Sequence, residues 1–153
     1  MQKIQLLIVL LTALLLTGCG PKGLQTYYVE GIVTLDGEPV EGAQVLFLPM
    51  EQTPDSKTAS GLTDASGKYT LTADGGLPGK GAVDGEYRVT VKKVEIVAAR
   101  GAPKPEYDTG RPPTEYTEQK VITPPRYSLP GQTPLKVTVK KEKNDIPLAL
   151  EKK

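Results

Sequence analysis

Histidine and tryptophan are absent from the 153-residue chain, and cysteine and phenylalanine each occur once. Without histidine the chain has neither the commonest general base nor the commonest zinc ligand. A single cysteine allows no disulfide within the chain. The missing tryptophan weakens any reading based on stacking against sugar rings. An excess of one charge is lacking too: 19 basic and 18 acidic residues leave a formal charge of +1. No field therefore points to nucleic acid or another polyanion as partner. No apolar run reaches the ~20 residues that a helix needs to cross a bilayer. No cofactor or metal site is expected from what remains.

The longest apolar run, Ile4 to Leu16, is 13 residues with only Gln5 and Thr12 interrupting it, and it opens after one basic residue, Lys3. Its length and its charged start read as a signal peptide over residues 1–18. A secretory cleavage site would show an A-x-A pattern; here Thr17 and Gly18 stand directly before Cys19. Leu16-Thr17-Gly18-Cys19 resembles the bacterial lipobox. That resemblance implies a diacylglycerol thioether on Cys19, cleavage before it and acylation of the new N-terminus, hence a protein of the cell envelope held at a membrane by lipid, palmitate included. The other reading is a plain signal peptide followed by an unmodified cysteine. Several acyl chains anchor stably where one does so marginally. In the sorting rule that goes with the lipobox, Asp after the cysteine retains the protein in the inner membrane, so Gly20 implies the outer membrane. The mature chain is then Cys19 to Lys153, 135 residues with 18 charges of each sign, which is one domain's worth.

Residues 19–26 form a short polar tether. From Tyr27 to Glu151 the dominant pattern is alternation of period two between turn residues, with no helical periodicity. Val29, Gly31, Val33 and Leu35 share one face of a first strand, Tyr28, Glu30, Ile32 and Thr34 the other. Asp36-Gly37 marks a tight hairpin. Ala43 to Leu48 is apolar on both faces, as a central strand is. Further strands are expected over Thr58 to Thr63, Lys68 to Ala73, Gly85 to about Val97, Leu135 to Val139 and Ile146 to Leu150. Phe47, Val89 and Val137 should be buried, with the Tyr69 and Tyr87 hydroxyls turned outward at the sandwich edge. Ala98 to Thr133 holds seven prolines and little periodicity. Proline lacks the donor that a ladder needs, so an irregular insertion is expected there, with packing resuming by Pro125-Arg126-Tyr127. Seven strands with short turns predict an all-β, Greek-key β-sandwich of the transthyretin-like or immunoglobulin-like kind, with the proline-rich insertion before its last two strands.

Several segments together resemble the carboxypeptidase regulatory-like (transthyretin-like) family. They are Val29-Glu-Gly-Ile-Val, Asp36-Gly-Glu-Pro-Val-Glu-Gly-Ala-Gln-Val, Thr63-Asp-Ala-Ser-Gly-Lys-Tyr-Thr-Leu and Gly85-Glu-Tyr-Arg-Val-Thr-Val. The endings Pro125-Arg126-Tyr127, Leu135 to Val139 and Asn144-Asp145-Ile146 resemble small envelope lipoproteins of that type. The resemblance implies the sandwich and no catalysis, since such domains accompany catalytic domains rather than catalyse. Fold alone carries no function.

Sharper readings of single segments give way to simpler ones. Asp64-Ala-Ser-Gly lacks the repeated acids of a calcium loop and reads as a turn. Gly75 to Gly81 lacks the spacing and following helix of a phosphate loop. Ser56, Ser60, Ser66 and Ser128 have no histidine to activate them. The Lys140, Lys141, Lys143, Lys152 and Lys153 group reads as a solvated turn and tail, with contact to anionic lipid or polysaccharide as the alternative. The expectation is a non-catalytic, lipid-anchored structural or protein-interaction module, bound to a membrane through Cys19 and to an envelope protein. The alternatives are a ligand-binding module, for glycan above all, and an enzyme. Any binding surface is expected on the insertion at Tyr107, Tyr116 and Tyr127, because loops on a rigid scaffold carry recognition.

Overall fold

The computed structural model describes residues 24–98 and 117–152. They form an all-β sandwich of two sheets with a two-stranded ribbon at one end. The strands are β1 (Val29–Leu35), β2 (Glu38–Pro39), β3 (Gln44–Pro49), β4 (Ala59–Leu62), β5 (Lys68–Thr70), β6 (Thr72–Ala73), β7 (Gly85–Lys92), β8 (Val94–Ala98), β9 (Thr117–Val121), β10 (Lys136–Val139), β11 (Asn144–Asp145) and β12 (Leu148–Leu150). One short helix, α1 (Pro125–Ser128), precedes β10.

In the first sheet β1 is central. It pairs antiparallel with β2 and β5 and parallel with β11 and β12. The second sheet has the order β10-β7-β3-β4-β6, antiparallel throughout. Within it β3, β4 and β6 follow one another, and β7 returns beside β3, which is the Greek-key order. All seven expected strands are present. β3 is central, as its two apolar faces predicted.

Local sequence explains the turns and the crossing. Leu35 pairs with Glu38 around Asp36-Gly37, with φ of 52° and 89°. Those positive angles are what a two-residue hairpin turn requires. Lys68 to Ala73 was expected as one strand; it breaks at Leu71, so that β5 joins the first sheet and β6 the second. The break lets Leu71 sit fully buried between the sheets. The core collects the inward positions of both sheets, with Phe47 fully buried between Tyr69 and Tyr87 at centroid distances of 6.4 and 5.8 Å. Such tilted pairs add about 0.5–1.5 kcal/mol each beyond burial. Val89 is buried as expected, whereas Val137 is only half-buried, because β10 is an edge strand.

Three further expectations are corrected. The Tyr69 and Tyr87 hydroxyls do not face solvent: Tyr69 donates to the Ile146 carbonyl (2.7 Å) and Tyr87 to that of Val83 (2.9 Å). Buried hydroxyls need such acceptors, and burial pushes both phenol pKa values up. The strand from Gly85 stops at Lys92 and resumes as β8 in a separate ribbon. Finally, residues 98–133 are not wholly irregular. Thr117–Val121 contains no proline and pairs with β8 from Val94↔Val121 to Ala98↔Thr117.

The proline-rich stretch after β9 packs by other means. β10 covers β7 only from Gly85 to Arg88. Beyond that, side chains and loop backbone take over: Thr133 Oγ1 donates to the Val89 carbonyl (2.6 Å), Ser128 Oγ donates to that of Val91 (3.4 Å), and Val89 N donates to the Leu135 carbonyl (2.9 Å). Hydroxyls thus replace the donors that the prolines lack.

Candidate interaction surface

The two ends of the sandwich differ. Tyr27 exchanges both backbone hydrogen bonds with Ala82 (2.7 and 3.0 Å), and Asn144 N donates to the Tyr28 carbonyl (2.9 Å). These contacts gather the start of the described chain, the Asp74–Gly81 loop and the Lys140–Lys143 loop at one end. The Asp36-Gly37 turn, the end of β4 and the β8–β9 ribbon lie at the other, the length of β1 away. Seven residues at about 3.3 Å each make that roughly 23 Å.

The ribbon is fastened at its base. Ile122 N donates to the Lys93 carbonyl (2.9 Å), and Lys93 N donates to Oγ1 of the buried Thr123 (3.1 Å). Its register puts Val94, Ile96, Gln119 and Val121 on one face. On the outer face of the second sheet, at the same end, Leu62, Gln44 and Lys92 lie side by side across β4, β3 and β7. Gly42, Gln44, Lys92, Val94, Ile96 and Gln119 line an open cleft of about 370 Å³. Within the cleft Val94 is half-buried and Ile96 is 72% exposed; outside it Leu62 is 67% exposed and Val121 49%. Below the ribbon base a second cleft of about 320 Å³ is charged, with Asp36, Glu38, Glu41 and Glu95 facing Lys93 and Lys152. Exposed apolar side chains beside polar ones are the composition of a contact surface.

A further concave site, about 270 Å³ beside Tyr87, is rimmed by Glu51, Asp55, Asp84 and Glu86. Its hydroxyl residues, Thr53 and Ser56, bond to one another across a tight turn. Among the described residues no group of three or more acidic or thiol side chains is placed to hold a metal, and no helix is long and apolar enough to cross a membrane. Asp64 Oδ1 accepts from Ser66 N (2.8 Å), Ser66 Oγ (2.7 Å) and Lys68 N (3.0 Å), which holds its pKa below the usual carboxylate value and marks a closed turn.

The outer face of the first sheet carries the strongest electrostatics. Glu30 accepts from Lys143 (2.7 Å), Lys68 (3.0 Å) and the Tyr28 hydroxyl (3.2 Å). The hydrogen bonds from Lys143 and then Lys68 bring its pKa down from 4.5 to about 2, and both lysines are raised in return. A carboxylate satisfied on every side is a clamp between β1, β5 and the loop before β11, not a reactive group.

Of the residues expected to be functional, Cys19, Tyr107 and Tyr116 lie outside the described residues. Tyr127 is corrected: it is 4% exposed, and its hydroxyl accepts from Arg126 Nη2 (2.9 Å) and Glu151 N (3.2 Å). It closes the core from α1 and offers no face to a ligand. Leu62, Ile96 and Val121 were missed. No local signal marked them as surface, because an outward apolar residue has the same pattern as an inward one.

No protein-family model and no curated protein matches the chain. Among solved structures, a DUF3823 family protein from Parabacteroides merdae is similar at 14% identity and a TM-score of 0.37, over 81% of this chain and 45% of that one. A 9R-lipoxygenase from Cyanothece PCC8801 is similar at 13% identity and a TM-score of 0.36, over 88% of this chain and 18% of that one. The chain thus spans less than half the length of either.

Proposed function

We propose that the protein is a lipid-anchored, non-catalytic module of the bacterial envelope, of the carboxypeptidase regulatory-like kind, that presents its distal ribbon to a protein partner. The observation that carries this reading is the polarity of the domain. Leu24, five residues after Cys19, already packs against the core at one end, and the exposed Ile96, Val121 and Leu62 lie at the other. An anchor acylated at Cys19 through a 13-residue apolar leader fixes the first end to a membrane, the outer one by Gly20, and leaves the second end free to meet a partner. The apolar cluster fits a protein surface better than a glycan, and the glycan reading has lost Tyr127 to the core.

The test is a photo-reactive residue placed at Ile96 in the full chain expressed in a bacterial envelope, with Lys136, exposed on the outer face of β10, as control. A discrete protein adduct from position 96 and none from position 136 is the expected result. No adduct at 96, with binding to a glycan array instead, contradicts the protein-interaction reading.

A further inference from the structure

We propose that the ribbon takes its partner as an added strand: an extended, alternately apolar segment of the partner protein lies along the free edge of β8, held by the main-chain groups of Val94 and Ile96. This rests on the ribbon surface proposed above and names the chemistry of what it binds. Ile122 N donates to the Lys93 carbonyl, so Lys93 and Ile122 are a bonded pair at the foot of the ribbon. Bonded and non-bonded pairs alternate along an antiparallel ladder. The register then makes Glu95↔Lys120 a bonded pair and Val94↔Val121 and Ile96↔Gln119 non-bonded ones. The N–H and carbonyl groups of Val94 and Ile96 therefore point away from β9, and among the described residues they meet no other strand.

Those groups open onto a lane that the second sheet leaves empty. In β7 the even positions bond towards β3: Met50 N donates to the Glu86 carbonyl (2.8 Å), and the pairing runs on to Gln44↔Lys92. Val94 and Ile96 continue that side. β3 goes no further, because Gly42 turns the chain at a φ of 64° and donates its N–H to the Thr63 carbonyl (3.0 Å). The cleft of about 370 Å³ at Gly42, Gln44, Val94 and Ile96 is the mouth of the vacated lane. The five residues of β8, at about 3.3 Å each, offer roughly 17 Å of edge to a guest strand. Alternate side chains of that guest lie over Val94 and the exposed Ile96, on the face that also carries Leu62. Main-chain bonds supply the attachment and the apolar face supplies the selectivity, as in strand addition generally.

Other edges of the fold are closed or guarded, as edges in stable sheets are. Asp64 closes β5: its N–H donates to the Lys68 carbonyl (2.9 Å), and its Oδ1 accepts from Lys68 N (3.0 Å). Past β12, Glu151 donates its N–H to the Tyr127 hydroxyl (3.2 Å) and its carbonyl accepts from Arg126 Nη2 (2.8 Å). Past β10, Asn144 takes both main-chain groups of Lys140, at 2.9 and 3.0 Å. β10 and β9 also carry an exposed lysine each, Lys136 and Lys120. β8 reads Val-Glu-Ile-Val-Ala; its one charge, Glu95, bonds its backbone towards β9 and stands 3.9 Å from Lys93. The open edge is thus the one with the strongest strand character and the least charge.

The test uses the isotope-labelled full chain in detergent micelles and a library of short capped peptides in which apolar and polar residues alternate. The expected result is that the best binders shift and protect the amides of Val94 and Ile96, while those of Glu95 and Val97, already bonded to β9, change little. N-methylation of the peptide amides that face β8 should weaken binding several-fold, and so should Val94→Pro, which removes an outward donor; Val94→Thr, which keeps it, should weaken it less. Val94→Pro spares the ladder to β9, and an unchanged Glu95 amide verifies that the ribbon still forms. Binding that ignores both the methylation and the proline overturns strand addition and leaves the ribbon surface standing as a side-chain contact. A library without a binder, beside a protein adduct at position 96, does the same. No adduct at position 96 and no binder overturn the surface and the added strand together. Amides of Val94 and Ile96 protected before any peptide is added mean that this chain or a second copy fills the lane, and overturn the proposal.

Discussion

Tyr69 passes its hydroxyl over Gly31 to the carbonyl oxygen of Ile146, 2.7 Å away and 77 positions along the chain. Gly31 and Tyr69 are cross-strand partners, and a Cβ on Gly31 would overlap the Ile146 carbonyl and stand 2.9 Å from Tyr69 Cε1. The missing side chain is therefore the passage by which β5 reaches across β1 to the last strands. Tyr69→Phe leaves a buried carbonyl without its donor and should cost about 1–3 kcal/mol. Gly31→Ala should cost at least as much by overpacking. Denaturant melts of both variants and of the double variant test this, and a double-variant loss equal to the sum of the single losses contradicts a shared passage.

Phe47 is the hub of the aromatic core. Phe47→Ala should cost about 3–5 kcal/mol, whereas Val137→Ala, at a half-buried edge position, should cost markedly less. Equal thermal shifts for the two contradict the assignment of β3 as central and β10 as edge.

Glu30 makes the fold acid-sensitive in a defined window. Its carboxyl binds protons less readily folded than unfolded, so its contribution is complete above the unfolded pKa and is lost as pH falls through the folded one. The Tm difference between wild type and Glu30→Gln should be constant above about pH 5 and close between pH 4.5 and about 2. Raised salt should shrink it, since the three partners are partly exposed. A difference that grows as pH falls contradicts the clamp.

Hydrogen exchange should rank the elements. β3 and β7 sit deep in the second sheet, whereas β8 and β9 pair only with each other among the described residues. A two-stranded ribbon is marginal by itself, so Val94–Ala98 and Thr117–Val121 should exchange faster than Val45 to Phe47. Protection should return at Tyr127, whose amide donates to the Pro124 carbonyl (3.0 Å), and hold at Val89, whose amide donates to the Leu135 carbonyl (2.9 Å). Slow exchange throughout the ribbon contradicts this ranking.

These elements also mark what was legible in the sequence. Alternation located most of the longer sandwich strands, because one wet face and one dry face leave a period of two wherever a strand borders the core. Asp36-Gly37 fixed its hairpin for a purely local reason, the positive φ of both residues. Ile96 and Val121 were not legible as surface, because an outward apolar residue reads like an inward one until its partners are known. The return of packing at Pro125-Arg126-Tyr127 was legible, but the short helix that carries Tyr127 and the hydroxyls that bond in place of a ladder were not. Tyr69 was placed correctly inward, but its acceptor lies 77 residues away, a distance that no local pattern spans.

The central claim is that Cys19 carries the lipid that holds this sandwich to the envelope. Intact mass of the membrane-fraction protein, beside that of Cys19→Ser, tests it most directly. The account predicts a wild-type chain that begins at Cys19 with diacylglycerol and a further acyl group, and a variant that keeps residues 1–18 and carries no lipid. An unmodified chain, or a variant with the same mass shift and the same membrane fraction as wild type, would contradict it.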